Sequence, residues 1–553
     1  MKDFFSKIKQ SKAVEILKHV LSHKYFPVAT ACVTVLFYYL NLEIITIYYI
    51  ALTGAVSVLL LDDLTPLISN FLFMSIMISV KHSPSPFGPG ATGGSDYLTH
   101  PAILSQIVVL ICLYVIATFV RLALTVKNNK FKITPVFWTL VAFSAVLLLN
   151  GVFSKNYKIL DLAYGVFLAF CFLGIFCIVK DNTSCTKENY SRIAFTFFVF
   201  SVALLLELAV KYISAGVIVD GKINRRALAF GWGMYNNFAL LLLLCVPSVM
   251  YLAGTQKFGY IYFVYSIFLS VGVIFTMSRQ AWVALAIVYL ISLVALLLLG
   301  KNRLINCIIT GVAAAVFLIL FLTLKDKILL LISGTPSSSG STATVVLLIL
   351  GALYLIGICV LIIKCKNKYI KYGVTGGSVL LILIFAAIFH EKTLPLLLKF
   401  IDSSNGRDVL WKDAIDNFVS APVFGIGFFV NLKNDPGFAG MEIIPNMYHN
   451  TFFQLLGSCG IFGLFAYLVH RVFTVISFCK NPSVERSFIV LTIACILITT
   501  LFDNHLFYIL PTILYSLLLS ILIKGQIPEP EKDAVDSEPK KQAEPKVQNE
   551  PTA

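Results

Sequence analysis

The chain has 553 residues, of which 58% are hydrophobic and only 13% charged. A soluble globular domain is nearer half apolar with about a quarter of its residues charged, so that class is excluded and an integral membrane protein is left. The formal net charge of +15 would point to nucleic acid in a soluble protein. Here the basic residues fall in short connections between apolar runs, where topology and anionic lipid place them, and no nucleic-acid partner is expected.

The first 24 residues carry Lys2, Lys7, Lys9, Lys12, Lys18 and Lys24, with Phe4, Ile8, Leu17 and Leu21 at roughly helical spacing. They read as a basic amphipathic helix on the cytoplasmic face; a cleaved signal peptide has a shorter basic region and a small-residue cleavage pattern. Apolar runs follow at 25–41, 43–61, 65–81, 102–124, 134–150, 159–179, 192–212, 231–253, 258–277, 280–300, 303–325, 343–364, 371–390, 450–470, 487–502 and 504–524. Each is long enough to cross a hydrocarbon core of ~30 Å as a helix, which predicts an all-α polytopic protein of about 14–16 spans. Lys127, Lys130, Lys132, Lys180, Lys187, Arg192, Lys301, Arg303, Lys364, Lys366, Lys368, Lys371, Lys480 and Arg486 all fall on one side. The positive-inside rule makes that side cytoplasmic, with both termini there.

The organisation expected is therefore a cytoplasmic helix at 1–24, membrane helices over 25–390, a large extracytoplasmic loop at 391–449, further membrane helices at 450–524, and a disordered cytoplasmic tail at 525–553, rich in Pro, Glu and Lys. The twelve cysteines lie mostly inside spans, as at Cys32, Cys112, Cys171, Cys177 and Cys245, with no CxxC pair. They read as small packing residues, and neither disulfides nor a metal site is expected.

Polar residues that interrupt the hydrocarbon carry the chemistry. The long loop contains NGRDVLWKDAIDNFVSAPVFGIGFF, Asn405 to Phe429; Asp408–Phe418 has helical spacing, and Pro422, Gly425 and Gly427 end it. Arg407 opens that helix, either ion-paired to Asp408 or free to bind an anion. Arg279, in MSRQAW at 277–282, interrupts two apolar runs on the side where positive charge is disfavoured. A charge so close to hydrocarbon needs the interface or a partner. A third external loop, DGKINRR at 220–226, holds Arg225 and Arg226, and the next span opens GWGMYNN, with Asn236 and Asn237 about one turn inside. Those amides suit a polar substrate or an interhelical hydrogen bond. Glu207 and Lys211 have the spacing of an intrahelical pair. Finally MYHNTFF places His449 and Asn450 where an apolar run begins, as a helix cap or, since an imidazole ionises near neutrality, as a general base. Guanidiniums on the same face would hold a diphosphate while the imidazole takes a proton from an incoming hydroxyl.

Together SRQAW (278–282), GRDVLW (406–411) followed by PVFGIG (422–427), and HNTFFQLLGSCGIFGL (449–464), with GMYNNFA (233–239) more loosely, resemble the O-antigen ligase and O-antigen polymerase superfamily of bacterial envelope glycosyltransferases. The resemblance covers about 231–468, and the chain departs from the usual pattern in carrying four spans between SRQAW and the long loop. It implies metal-independent, inverting transfer of a glycan from undecaprenyl diphosphate to a glycan, lipid or protein hydroxyl at the outer face of the inner or plasma membrane, without a cofactor. It implies His449 as base and Arg279 and Arg407 as ligands of the diphosphate; Arg225, Arg226, Asn236, Asn237, Trp411, Tyr448 and Asn450 are expected to bind substrate. Membrane lipids and other polysaccharide-assembly proteins are the partners implied. No Walker-type phosphate loop and no acidic cluster for a divalent metal is present. A lipid-linked oligosaccharide flippase is the competing class and would show internal repeats and deeply placed charges; a protein O-oligosaccharyltransferase shares the chemistry and differs in acceptor.

Overall fold

The computed structural model describes residues 11–40, 42–77, 101–127, 132–214, 217–219, 222–223, 228, 235–299, 305–306, 308–309, 312, 407–431, 443–445 and 447–524. Arg225, Arg226, the predicted spans 343–364 and 371–390, most of 303–325, the first part of the long loop and the tail after Lys524 lie outside the described residues.

The fold is all-α and polytopic. In chain order its helices are α1 (Lys12–Ser22), α2 (Phe26–Tyr39), α3 (Glu43–Leu60), α4 (Leu67–Met77), α5 (Pro101–Lys127), α6 (Pro135–Phe153), α7 (Ile159–Ala169), α8 (Ile175–Asp181), α9 (Lys187–Ser214), α10 (Tyr235–Thr255), α11 (Gly259–Phe275), α12 (Arg279–Leu299), α13 (Arg407–Ser420), α14 (Thr451–Lys480), α15 (Val484–Thr499) and α16 (Ile509–Lys524). A π-helical turn, Phe170–Gly174, joins α7 to α8 as one continuous span. Among the described residues six helices are long and apolar enough to cross a membrane, or seven if α1 and α2, which meet at 82°, count as one broken span. That right-angled bend sets the amphipathic α1, with Ile16, Leu17 and Val20 exposed, across the direction of α2. Shorter apolar helices occupy other predicted spans, α11 and α16 among them. Two small antiparallel hairpins accompany the helices: Ile218–Val219 with Lys222–Ile223, and Phe429–Asn431 with Ile443–Pro445.

In lipid there is little hydrophobic drive for one helix to pack on another, so close packing and interhelical hydrogen bonds decide the arrangement. The centre is α10, whose residues from Asn236 to Ala253 are all buried. It is apolar nearly all round, as a helix enclosed by others must be, and it packs against α9, α11, α12 and α15. His470 of α14 ties two neighbours together, its Nδ1 2.9 Å from Thr139 Oγ1 on α6 and its Nε2 2.7 Å from Tyr515 Oη on α16.

The Glu207–Lys211 pair expected from spacing forms at 3.5 Å, and the Tyr38 and Tyr39 hydroxyls donate to the same carboxylate. Lys180, placed by the charge pattern in a solvated connection, is instead fully buried against Asp181 at 3.2 Å and donates to the Lys132 carbonyl. Arg121 beside it donates to Asn182 Oδ1 at 3.0 and 2.7 Å. Some of the basic residues at this end therefore lock helix ends together.

Candidate active site

The opposite end of the bundle gathers the polar motifs. Asn450 is the N-cap of α14: its Oδ1 accepts from the Phe452 and Phe453 amides at 2.8 and 3.3 Å, and its Nδ2 donates to the Leu501 carbonyl at 2.7 Å. The capping role weighed for His449 thus belongs to its neighbour. Relieved of it, His449 stands at φ 51°, a left-handed conformation that L residues adopt only when the surroundings impose it. Met277, immediately before SRQAW, is the other such residue at φ 57° among those described.

What imposes the turn is Tyr448, 1% exposed. Its amide donates to Gln454 Oε1 at 3.1 Å, its carbonyl accepts from Trp411 Nε1 at 3.0 Å, and its hydroxyl accepts from Asn417 Nδ2 at 2.8 Å. Trp411 also stacks on Phe453 with centroids 5.3 Å apart. The indole and the phenol are thereby engaged in fastening α13 to α14, directly beside His449.

The imidazole Nδ1 of His449 lies 3.0 Å from Asp503 Oδ1, with the His449 side chain 26% exposed and that of Asp503 1%. Asp503 sits in the turn between α15 and α16. Besides His449 it accepts from the Asn504 amide (2.8 Å) and the Tyr508 hydroxyl (3.1 Å) on Oδ1, and from Asn236 Nδ2 (3.1 Å) on Oδ2. Burial pushes the carboxyl up, but the His449 hydrogen bond, the fields of His505 and His449 and the Asn504 amide outweigh it and hold Asp503 well below the usual carboxylate range. An ionised carboxylate only accepts, so His449 Nδ1 carries a hydrogen, and in the neutral ring Nε2 is then the acceptor. This is the arrangement in which a carboxylate orients an imidazole as a base.

The same carboxylate joins three sequence motifs. Ser278 Oγ donates to Asn236 Oδ1 at 2.8 Å, Asn236 Nδ2 donates to Asp503, and His449 donates from the other side. SRQAW at the start of α12, the asparagines at the start of α10 and the histidine before α14 are therefore linked in one chain of hydrogen bonds through Asn236 and Asp503. Arg279 follows Ser278 as the first residue of α12 and Arg407 is the first residue of α13; both side chains are partly exposed. Burial above all holds the His505 imidazole below its ordinary range, against the raising effect of Asp503 and with the His449 and Arg407 charges adding. Asn237 is buried beside Asn236, with its Oδ1 unpartnered among the described residues.

A second junction holds α13 in place. At Gly460, φ 67° and ψ −162° break α14 into two helices, and the PVFGIG turn packs into the break. Ile461 N donates to the Pro422 carbonyl at 2.9 Å, Ile426 N to Gly457 O at 3.0 Å and Gly427 N to Ser458 O at 3.0 Å. A Cβ on Gly460 would lie 2.4 Å from the Val423 carbonyl oxygen, and one on Gly425, at φ 70°, 2.3 Å from that of Ser458. The motif glycines are needed because two backbones touch here.

Sequence reasoning passed over Asp503, Asn504, His505, Tyr508 and Gln454. A signal was present: Asp503, Asn504 and His505 form a polar triplet at the junction of two apolar runs, and ionisable groups at such a position are costly unless used. Among the described residues no three His, Cys, Asp or Glu side chains are grouped to hold a metal ion.

These features define a multi-pass membrane protein with an imidazole–carboxylate pair at one end of its bundle and two arginines at neighbouring helix starts. Residues 328–468 match the family model described as O-antigen ligase, which supports the O-antigen ligase superfamily and a glycosyltransferase-type membrane enzyme. No curated protein matches the chain. The matched segment contains Arg407, Trp411, Tyr448, His449 and Asn450; Asn236, Arg279 and Asp503 lie outside it.

Proposed function

We propose that the protein transfers a glycan from undecaprenyl diphosphate to an acceptor hydroxyl at the outer face of the inner or plasma membrane, with both termini in the cytoplasm. The observation that carries this reading is the 3.0 Å contact between His449 Nδ1 and the buried Asp503 carboxylate, beside two arginines at helix starts. The acceptor O–H gives its proton to His449 Nε2 as its oxygen bonds to the anomeric carbon. The bond from that carbon to the phosphate oxygen breaks, and the electron pair leaves with the diphosphate, which Arg279 and Arg407 neutralise. Attack opposite the leaving group inverts the anomeric centre. Asp503 stabilises the imidazolium formed and holds the ring in the tautomer the step needs. Asn236 keeps Asp503 aimed, Tyr448 and Asn450 hold the turn that presents His449, and Asn237 offers its amide to the sugar. Arg225 and Arg226 help to recruit the anionic head group. The acceptor is a glycan, a lipid core or a protein, and other envelope polysaccharide-assembly proteins supply the donor.

In full-length protein supplied with an undecaprenyl-diphosphate oligosaccharide, His449→Ala should lower turnover by about 10²–10⁴-fold with folding retained, since a positioned base contributes that much. Arg279→Ala and Arg407→Ala should each weaken transfer severely. Undiminished turnover of the His449 variant would remove the imidazole from the reaction.

A further inference from the structure

The corner where α6 meets α7, in the part of the chain that no motif covers, grips the PVFGIG turn alongside α14. Asn150 Nδ2 donates to both the Phe424 and Ser458 carbonyls, at 2.6 and 2.5 Å, so one amide bridges the loop and the break in α14. Asp161 Oδ1 accepts from the Phe428 and Phe429 amides at 2.5 and 3.1 Å. Lys155 N donates to Gly425 O at 3.1 Å, and Lys158 Nζ to Phe429 O at 2.8 Å. Asn150 and Asp161 are both fully buried. The carboxylate also dictates the loop sequence, because a Cβ on Gly427, at φ 99°, would lie 2.8 Å from Asp161 Oδ1.

Burying a carboxylate in a membrane protein is unfavourable, and this one uses a single oxygen on two backbone amides while Oδ2 has no hydrogen-bond partner among the described residues. Packing alone would be better served by an apolar side chain. What the carboxylate supplies is a fixed origin for Phe428 and Phe429, eight and nine residues past Ser420, the end of the helix that opens with Arg407. That helix is held at its far side through Trp411 and Asn417 to Tyr448. Its angle to the His449 turn is thus set by two anchors, one beside the imidazole and one on α6 and α7.

We infer that Asp161 and Asn150 are positioning residues for the site: they anchor the 421–429 turn and thereby aim Arg407 at the diphosphate. This inference rests on the function proposed above. The test is binding of undecaprenyl diphosphate to the full-length protein, followed by tryptophan fluorescence, alongside thermal unfolding in detergent. Arg407→Ala should weaken binding by at least about 10-fold if the arginine holds the diphosphate, the scale expected for a lost charge-assisted contact. Asp161→Ala should weaken it by about 10-fold, because misplacement of roughly 1 Å is enough for that. Asp161→Asn, whose amide oxygen still accepts both N–H groups, should restore binding to within about 3-fold. Asn150→Ala should weaken binding about 5-fold, and it decides between the outcomes if Asp161→Ala does not fold. A residue that only stabilises the fold would lower the unfolding temperature without changing affinity in the folded protein. Full affinity in Asp161→Ala or, where that does not fold, in Asn150→Ala would overturn the inference, as would an Asp161→Asn variant that binds as poorly as Asp161→Ala. Normal binding by Arg407→Ala would instead strike at the proposed function.

Discussion

At the scale of single residues, the site depends on a charge that stays in place. Asp503 is held below the usual carboxylate range, so whatever stability its ionised form contributes is fully present above about pH 4 and is lost only as pH falls through its depressed folded value. Across neutral and mildly acid pH it does not titrate. Asp503→Asn should lower turnover by about 10²-fold or more, because the imidazolium formed as the acceptor gives up its proton loses its counter-charge. Turnover of the folded variant checks this, and undiminished turnover would show that the carboxylate acts by packing alone. Arg407 and His449 were readable from residue type and position. Asp503 was not, because its meaning lies in what its two oxygens touch, residues 54 and 267 positions away.

At the scale of elements, the turn at 421–427 and the break in α14 form one unit. Gly460→Ala places a Cβ within 2.4 Å of a carbonyl oxygen at a conformation that only glycine adopts readily. It should cost about 2–4 kcal/mol and reduce transfer, since the break seats the loop that carries Arg407. Asn450→Ala, which loses a helix cap and one hydrogen bond to the Leu501 carbonyl, should cost about 1–2 kcal/mol. Denaturant unfolding in detergent measures both, and the order of the two losses is the prediction. The helix after Arg407 was legible from spacing, expected at 408–418 and found as Arg407–Ser420. The interlock was not: PVFGIG reads as a helix stop until the second backbone that meets it is known.

For the whole molecule, the hydrogen-bonded site requires the starts of α10, α12, α14 and α16 to share one end of the bundle. The proposed orientation then puts Tyr157 outside and Lys257 inside, each exposed in its connection. An impermeant thiol reagent, in a background with the native exposed cysteines replaced, should label Tyr157→Cys in intact cells and Lys257→Cys only after permeabilisation. Labelling of both from outside would break the topology.

Composition and the length of the apolar runs were enough to determine a polytopic helical protein, because each helix satisfies its own backbone and lipid demands nothing further of the chain. Motif order was enough to direct attention to Arg279, Arg407 and His449. Only the tertiary structure decided that Asn236, itself held by Ser278, and His449 converge on Asp503, that Asn450 is the cap and His449 is not, and that the α6–α7 corner holds the loop of a motif about 270 residues away. The physical reason is the same in each case. Hydropathy records which residues avoid water, whereas a buried polar group is stable only beside its partner, and that partner is set by how the helices pack.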